Sequence, residues 1–272
     1  MEDNLLQINV EEIIKAKAGK KAKRVPKFVI NYLKKILHQD EINDFLRSCP
    51  QSKDLDFVDE SIKYIDLNVK YEGLENIPDS GRFVFVANHP LGGLESLAMM
   101  QIIAKKYKNL VFPVNDMLLF LTPLSGIFTP INKIGTQSRK NAELLNAAYQ
   151  SDKQILYFPA GLCSRKMHKE IMDLEWQKSF IQKAKETQRD VIPIFIDGKN
   201  SNFFYNLANF RKKIGFKFNI EMLFLVNELY KQRGQTLTLT IGAPIPYQTF
   251  DSTKNPKEWA AWVRGKVYAL RK

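Results

Sequence analysis

Short apolar runs alternate with segments of helical periodicity along residues 65–245, and this pattern predicts an α/β fold. The runs at 83–87 and 109–114 contain no charged residue, which is typical of strands buried on both faces of a parallel sheet. Parallel strands are joined by helical crossovers, and helical segments follow these runs along the chain. We therefore predict a mixed, largely parallel central sheet flanked by helices.

The predicted elements can be placed on the chain by their periodicity. The pattern predicts strands over 67–71, 83–87, 109–114, 154–158, 190–196 and 236–242. It predicts helices over 94–106, 138–150, 169–186 and 256–270.

Residues 1–55 differ in composition from the rest of the chain. Nine lysines and arginines and no acidic residue lie between Lys15 and Lys35. Pro26 opens a segment to Leu37 in which apolar residues recur at helical spacing beside cations. We predict a basic amphipathic helix that lies in a membrane interface, although a helix packed on the domain with a solvated face has the same pattern. Residues 56–272 are predicted to form the α/β domain.

The charge and cysteine content of the chain indicate which partners and which compartment to expect. The chain has 41 Lys and Arg against 29 Asp and Glu, giving a formal net charge of +12. This excess favours an anionic membrane surface, a nucleic acid or an acidic carrier protein. No nucleic-acid-binding motif accompanies the basic segment, so no nucleic acid is predicted as a partner. Cys49 and Cys163 have neither metal-ligand spacing nor a disulfide framework, which favours a reducing cytoplasm.

The sequence predicts a peripheral rather than a spanning association with membranes. Residues 1–10 lack the basic and apolar pattern of a signal peptide. The most apolar region, 110–131, is interrupted by Asn115, Asp116 and three prolines, and falls short of the ~20 apolar residues that a membrane-spanning helix needs.

The predicted strand 83–87 is followed directly by a group of residues that could carry out acid–base chemistry. His89 follows the strand, Gly92 and Gly93 allow a tight turn, and Glu95 falls in the first turn of the next predicted helix. Ligands of such sheets bind at the carboxyl ends of the strands. An imidazole held by a carboxylate can accept a proton from a hydroxyl near neutral pH. The alternative is that His89 only caps a loop.

Three short motifs in a fixed order resemble those of the glycerolipid acyltransferase superfamily, which includes the 1-acylglycerol-3-phosphate acyltransferases. They are Asn88-His89-Pro90 with Glu95, Phe158-Pro159-Ala160-Gly161, and Val191-Ile192-Pro193-Ile194. The usual first motif is His, four residues, Asp, whereas here the acid is Glu95, one residue later, as in the hemolysin-like bacterial branch with its His-Pro-x-Gly-Gly pattern.

This resemblance implies the glycerolipid acyltransferase fold and an O-acyltransferase of membrane lipid biosynthesis. His89, oriented by Glu95, would deprotonate the hydroxyl of a lysolipid while it attacks a thioester, without a covalent enzyme intermediate. The thioester would be acyl-ACP or acyl-CoA, with no further cofactor and no metal. The implied location is the cytoplasmic face of the inner membrane, bound peripherally.

The motifs depart from the family where the acceptor head binds. The family's second motif corresponds to Gly126-Ile-Phe-Thr-Pro-Ile-Asn132 in this chain, and its third motif to Phe158-Pro159-Ala160-Gly161. The second motif usually ends in an arginine, but here that position is Asn132, with Lys133 and Arg139 nearby. The third motif has Ala160 in place of a glutamate, and its arginine is displaced two places to Arg165. The acceptor is therefore expected to be either 1-acylglycerol-3-phosphate or a mono-acylated amino-acid lipid, such as a glycine or ornithine lipid.

A wider set of residues is predicted to contact the substrates or an oxyanion. The set comprises Asn88, Gly92, Gly93, Asn132, Lys133, Arg139, Phe158, Pro159, Gly161, Ser164 and Arg165. The apolar segment 117–128 is predicted to line an acyl groove or, equally, to pack in the core. The competing interpretation of the whole chain is a non-catalytic scaffold that binds membranes or nucleic acid through its basic surface.

Overall fold

The computed structural model describes residues 7–18, 25–115, 118–131, 138–167 and 170–272. The chain divides into two compact units. The smaller unit comprises the described parts of Met1–Ser52 together with Asn200–Arg233. The larger unit comprises Lys53–Lys199 and Gly234–Lys272. The division at residues 55 and 56 stays a prediction, and it had not separated 200–233 from the α/β domain.

The larger unit is built on a seven-stranded sheet with the order β1-β9-β8-β2-β5-β3-β4. Every neighbouring pair is parallel except β8 and β9, so the predicted mixed, largely parallel sheet is confirmed. The strands of this sheet are β1 (Asn68–Glu72), β2 (Phe83–Ala87), β3 (Leu110–Val114), β4 (Phe128–Pro130), β5 (Gln154–Tyr157), β8 (Asp190–Asp197) and β9 (Thr236–Ile241). A separate antiparallel hairpin is formed by β6 (Arg165–Met167) and β7 (Glu170–Met172).

Strand β2 lies at the centre of the sheet, between β8 and β5. All five of its residues are buried, as its uninterrupted apolar sequence predicts. Residues that follow β2 therefore emerge at the carboxyl edge, where sites on parallel sheets form. The helices of this unit are α4 (Asp54–Ile65), α5 (Leu94–Ile103), α6 (Ser138–Gln150), α7 (Ser179–Glu186) and α10 (Pro256–Tyr268).

One predicted helix is wrong over half of its length. The sequence pattern predicted a helix over 169–186, but the helix α7 begins only at Ser179, and Glu170–Met172 form strand β7. The intervening backbone is held by contacts that a helix could not make. The N–H of Asp173 donates to the Tyr268 hydroxyl, and the N–H of Gln177 donates to the Pro159 carbonyl. Tertiary hydrogen bonds thus replace the helical ones in this segment.

The described residues of the smaller unit form helices and connecting turns, with no strand. The unit contains α1 (Val10–Ala18), α2 (Lys27–Ile36), α3 (Gln39–Ser48), α8 (Asn202–Lys213) and α9 (Leu225–Tyr230), with a 3₁₀ helix at Ile220–Phe224. Helix α2 is the amphipathic helix expected after Pro26, whereas α8 and α9 were not predicted. Within the described residues, no helix is long and apolar enough to cross a membrane.

A buried arginine ties the end of α6 to the sheet of the larger unit. The guanidinium of Arg189 has no exposed surface. It donates from Nε to the carbonyl of Tyr149 over 2.9 Å and from Nη1 to the carbonyl of Lys153 over 2.8 Å. Burial, followed by the charge of Arg82, lowers the pKa of Arg189 to about 10. Arg189 is therefore still charged at neutral pH, and it satisfies carbonyl groups that the helix end leaves without partners.

Candidate active site

The site begins where β2 ends, because the next side chain locks the following loop to the neighbouring strand. Asn88 is buried and makes two hydrogen bonds with the backbone of Ile196 on β8. Its Nδ2 donates to the carbonyl over 2.9 Å, and its Oδ1 accepts from the N–H over 2.7 Å. Asn88 was predicted as a substrate contact. In the structure its amide group fixes the chain just before His89.

The loop after His89 is wound around the carboxylate of Glu95. This side chain has no exposed surface. Its Oε1 accepts from the N–H of Leu91 over 2.8 Å and of Gly92 over 2.9 Å, and its Oε2 accepts from the N–H of Gly93 over 2.8 Å. Glu95 also lies in the first turn of α5, where the helix dipole favours negative charge. The buried carboxylate is therefore satisfied by backbone groups on the loop that precedes its helix.

His89 completes the shell around this carboxylate. Its Nδ1 lies 2.9 Å from Oε1 of Glu95. Burial acts to raise the pKa of Glu95, but the charge and hydrogen bond of His89 and the N–H groups of Gly92 and Gly93 outweigh it, so the pKa falls below its usual value. Glu95 is therefore ionised at neutral pH. Because an ionised carboxylate only accepts hydrogen bonds, the ring proton of a neutral His89 lies on Nδ1.

The remaining ring nitrogen of His89, Nε2, is then the basic one. The side chain of His89 keeps 15% of its surface exposed, so the ring is not closed off from solvent. One face of the ring stacks on Phe158, with centroids 4.3 Å apart and planes inclined by 15°. The structure thus brings together His89, predicted as the general base, and Glu95, predicted to orient it, and their contact defines the tautomer of the imidazole.

A buried aspartate that the sequence analysis missed holds the backbone of His89. Oδ1 of Asp173 accepts from the N–H of His89 over 3.1 Å and from the hydroxyl of Ser164 over 2.6 Å. Its Oδ2 accepts from the indole N–H of Trp176 over 2.8 Å. In turn, the N–H of Ser164 donates to the carbonyl of His89 over 2.7 Å. Both backbone groups of His89 are therefore anchored to the segment 164–176.

The C-terminal helix α10 supports this segment from its C-terminal half. The N–H of Asp173 donates to the hydroxyl of Tyr268 over 2.7 Å, and Nη2 of Arg264 donates to the carbonyl of Asp173 over 2.7 Å. Burial and the nearby charge of Asp173 raise the pKa of Tyr268 to about 12, so its hydroxyl stays protonated. No sequence signal linked Asp173 to His89, because the two residues are 84 positions apart and the segment was predicted as a helix.

The glycine N–H groups predicted as oxyanion donors are engaged elsewhere. Those of Gly92 and Gly93 donate to Glu95, and that of Gly161 donates to the carbonyl of Phe158 over 3.1 Å. Gly92 has a φ of 89° and Gly161 a φ of 67°, a region that favours glycine over other residues. In this structure the glycines therefore shape the two loops and position the carboxylate.

The other predicted substrate contacts lie in different environments. Ser164 and Pro159 are engaged with Asp173, His89 and Gln177, as described above. Arg165 is buried, and its Nη1 donates to the carbonyl of Cys163 over 2.7 Å. Arg139 lies on the surface of α6 and pairs with Glu143 over 3.2 Å. Asn132 and Lys133 lie outside the described residues.

A series of ring contacts leads from Phe158, which stacks on His89, into the core. Phe158 packs against Phe112 with centroids 5.4 Å apart, and Phe112 packs against Phe128 at 6.3 Å. Within the segment predicted to form an acyl groove, Leu124, Ile127 and Phe128 are core residues. The 3₁₀ helix Leu118–Phe120 instead exposes its apolar side chains. The acyl groove stays a prediction.

The part of the chain that the structure describes contains no group of three or more His, Cys, Asp and Glu residues that could hold a metal ion.

Comparison with known proteins agrees with the motifs. A family model described as Acyltransferase matches residues 12–272. The chain is 49% identical over 270 residues to the lyso-glycine lipid O-acyltransferase of Phocaeicola vulgatus, covering 99% of this chain and 97% of the relative. It is 46% identical to the lyso-glycine lipid O-acyltransferase of Bacteroides thetaiotaomicron, covering 99% of each chain. The PlsC acyltransferase structure from Thermotoga maritima aligns with 80% of this chain and 78% of its own, at 18% identity and a TM-score of 0.47. By its family match and its full-length relatives, the chain belongs to the acyltransferase family.

Proposed function

We propose that the protein is an O-acyltransferase that moves a fatty acyl group from a thioester to the hydroxyl of a mono-acylated glycine lipid. The observation that carries the proposed chemistry is the contact between His89 Nδ1 and the buried carboxylate of Glu95, which leaves Nε2 as a base. Two relatives that align over nearly their full lengths are named for this acceptor, and this supports the choice of substrate. A non-catalytic scaffold would have no use for a buried carboxylate that orients an imidazole.

The transfer can be written with the residues of the site. Nε2 of His89 takes the proton of the acceptor hydroxyl as the oxygen attacks the thioester carbonyl carbon, and the negative charge of Glu95 stabilises the imidazolium. The carbon–sulfur bond then breaks, and the thiolate leaves with the proton from Nε2. An ester and a free thiol are formed, and the imidazole returns to its neutral state. Asp173 and Ser164 act as positioning residues, because they contact the backbone of His89.

The acceptor head is proposed to carry a carboxylate rather than a phosphate ester. The family arginine of the second motif is replaced by Asn132, and the third motif lacks its glutamate. The displaced Arg165 donates to the carbonyl groups of Cys163 and Ser164 in its own loop. A rearranged set of cations is expected when the anionic group of the substrate differs in shape and charge. Lys133 and Arg139 stay candidates for the acceptor head or the donor.

The donor, the membrane and the cellular location complete the proposal. We propose acyl-ACP or acyl-CoA as the donor, with no other cofactor. Helix α2 exposes Phe28 to 74% and Tyr32 to 52%, and it carries Lys34 and Lys35 in its last turn. This combination suits peripheral binding to an anionic membrane, which we place at the cytoplasmic face of the inner membrane.

The purified protein should convert a mono-acylated glycine lipid into its di-acylated form when supplied with an acyl thioester. Product mass spectrometry would compare this acceptor with a mono-acylated ornithine lipid and with 1-acylglycerol-3-phosphate, each offered with acyl-ACP and with acyl-CoA. We expect the glycine lipid to be the preferred acceptor. Preference for 1-acylglycerol-3-phosphate, or no product with any acceptor, would contradict the proposal.

Replacing His89 with Ala should lower the rate of acyl transfer by about 10²–10⁴-fold, because the general base is lost. The same assay checks this, with circular dichroism to confirm folding. The matched control is His38→Ala, which removes an imidazole that stacks on Tyr230 in the smaller unit. The control should keep most of the activity. Comparable rates for the two variants would remove His89 from the mechanism.

Replacing Asp173 with Asn should lower kcat more than it changes KM. An amide cannot accept from His89, Ser164 and Trp176 at once, because its nitrogen would face the indole N–H and leave a buried donor unpaired. The loop carrying His89 would then shift. Rates should be measured well below the melting temperature, so that the variant is folded. A variant that is less stable but has an unchanged kcat would show that Asp173 stabilises the fold and does not position His89.

A further inference from the structure

Helix α8 has two apolar faces, of which one is buried and the other is largely exposed. Phe204, Tyr205 and Ala208 are buried. On another face, Phe203, Leu207, Phe210 and Ile214 follow one another at spacings of four, three and four residues. Phe203 is 50% exposed, Phe210 61% and Ile214 60%. A helix of a water-soluble protein normally presents polar residues on its outer face, so this apolar row calls for a ligand or surface to cover it.

The turn that ends α8 extends the same apolar display. Gly215 adopts a φ of 72°, and its N–H donates to the carbonyl of Lys212. The N–H of Phe216 donates to the carbonyl of Arg211, which completes a Schellman motif. After this turn Phe216 is 48% exposed and Phe218 is 60% exposed. The chain thus turns sharply and continues to present large apolar side chains.

The side chain of Arg211 holds this turn in place. Arg211 contacts Glu221, whose side chain has no exposed surface, through Nε at 2.9 Å and Nη2 at 3.3 Å. Its Nη1 donates to the carbonyl of Phe216 over 2.9 Å. A two-pronged contact of this kind fixes geometry as well as charge. The exposed position of the rings at 216 and 218 is therefore built into the fold, because the loop cannot easily fold them inwards.

The apolar row is interleaved with positive charge. The segment from Asn200 to Phe218 contains four cationic residues and no acid. Of these, Lys212, Lys213 and Lys217 are exposed, whereas Arg211 holds the turn. Exposed aromatic rings beside lysines are the composition expected of a surface that meets both an anionic layer and an apolar layer.

The ring of Phe224 joins this surface to helix α2. Its centroid lies 5.1 Å from that of Phe203 and 6.5 Å from that of Tyr32. Phe28 lies one helical turn before Tyr32. The exposed apolar surface of the smaller unit therefore comprises Phe28, Tyr32, Phe203, Phe210, Ile214, Phe216 and Phe218.

We propose that α8 and the following turn, residues 202–218, form a second membrane-binding element that inserts its rings into the interface of an anionic bilayer beside α2. The proposal deepens the proposed function, which assigned membrane association to α2 alone. The aromatic rings would lie at the acyl boundary, while Lys212, Lys213 and Lys217 would lie among the anionic headgroups. An acidic protein would match the charges, but it would not match so many projecting rings spread over two helices and a turn.

The test measures co-sedimentation of the full chain with vesicles of phosphatidylcholine, with and without phosphatidylglycerol. The apolar variant combines F210S, F216S and F218S, and the cationic variant combines K212Q, K213Q and K217Q. The matched controls lie in the larger unit. They are Y71S, which removes another exposed ring, and the triple variant K63Q, K108Q and K178Q, which removes the same charge.

We expect the wild-type chain to bind the phosphatidylglycerol vesicles, and each variant of the segment to bind about tenfold or more weakly, since apolar area and charge both contribute. Binding of the cationic variant should also depend less on salt. The controls should bind nearly as the wild type does. Unchanged binding by the apolar variant would overturn the proposal, whether the cationic variant binds or not. So would a dimer in analytical ultracentrifugation that is lost in the apolar variant while its vesicle binding persists.

Insertion is measured separately with a Phe218→Trp variant and lipids brominated on their acyl chains. The wild-type signal from Trp176, Trp259 and Trp262 provides the baseline. We expect additional quenching in the variant, and an absence of additional quenching would contradict insertion. Neither measurement requires acyl transfer. A chain that inserts but transfers no acyl group would refute the proposed function alone, and a chain that transfers but does not insert would refute this inference alone.

Discussion

The site depends on how one buried carboxylate is satisfied. Glu95 has no exposed surface, and an ion in such a place is tolerated only when it is paired and hydrogen-bonded. Three backbone N–H groups and one imidazole meet its two oxygens within 2.8–2.9 Å. The same four contacts that stabilise the charge also fix the path of the loop and the tautomer of His89. Stability of the loop and readiness of the base therefore have one physical origin.

A second constraint explains why distant motifs come together. The backbone N–H and carbonyl of His89 are held by Asp173 and Ser164, and its ring lies on Phe158. These partners belong to the segment that follows β5, the neighbour of β2 in the sheet. Parallel pairing brings the ends of the two strands to one edge, so the first and third motifs meet there. Asn132, the last residue of the second motif, lies outside the described residues, and its contribution to acceptor binding stays a prediction.

The sequence was informative wherever one local pattern decided the structure. Strand β2 has an uninterrupted apolar run, and His89 and Glu95 stand on either side of a glycine pair that can only be a turn. Asp173 could not be found this way, because its role is created by tertiary hydrogen bonds to His89, Ser164 and Trp176. The acceptors of the glycine N–H groups could not be identified from the sequence either. Those of Gly92 and Gly93 donate to Glu95 and that of Gly161 donates to the carbonyl of Phe158, which only the direction of the backbone reveals. Helix α8 was missed because its two apolar faces obscure the period of a single amphipathic face.

The most direct test of this account is the position of the ring proton of His89. Nitrogen NMR of the imidazole, with ¹⁵N-labelled histidine and the His89→Ala variant to assign the signals, distinguishes the two neutral tautomers. The account predicts a protonated Nδ1 that is hydrogen-bonded to Glu95 and an unprotonated Nε2, and it predicts that Glu95→Gln disturbs this preference. A neutral His89 that carries its proton on Nε2 would contradict the account, because that nitrogen could not then accept a proton from the acceptor hydroxyl.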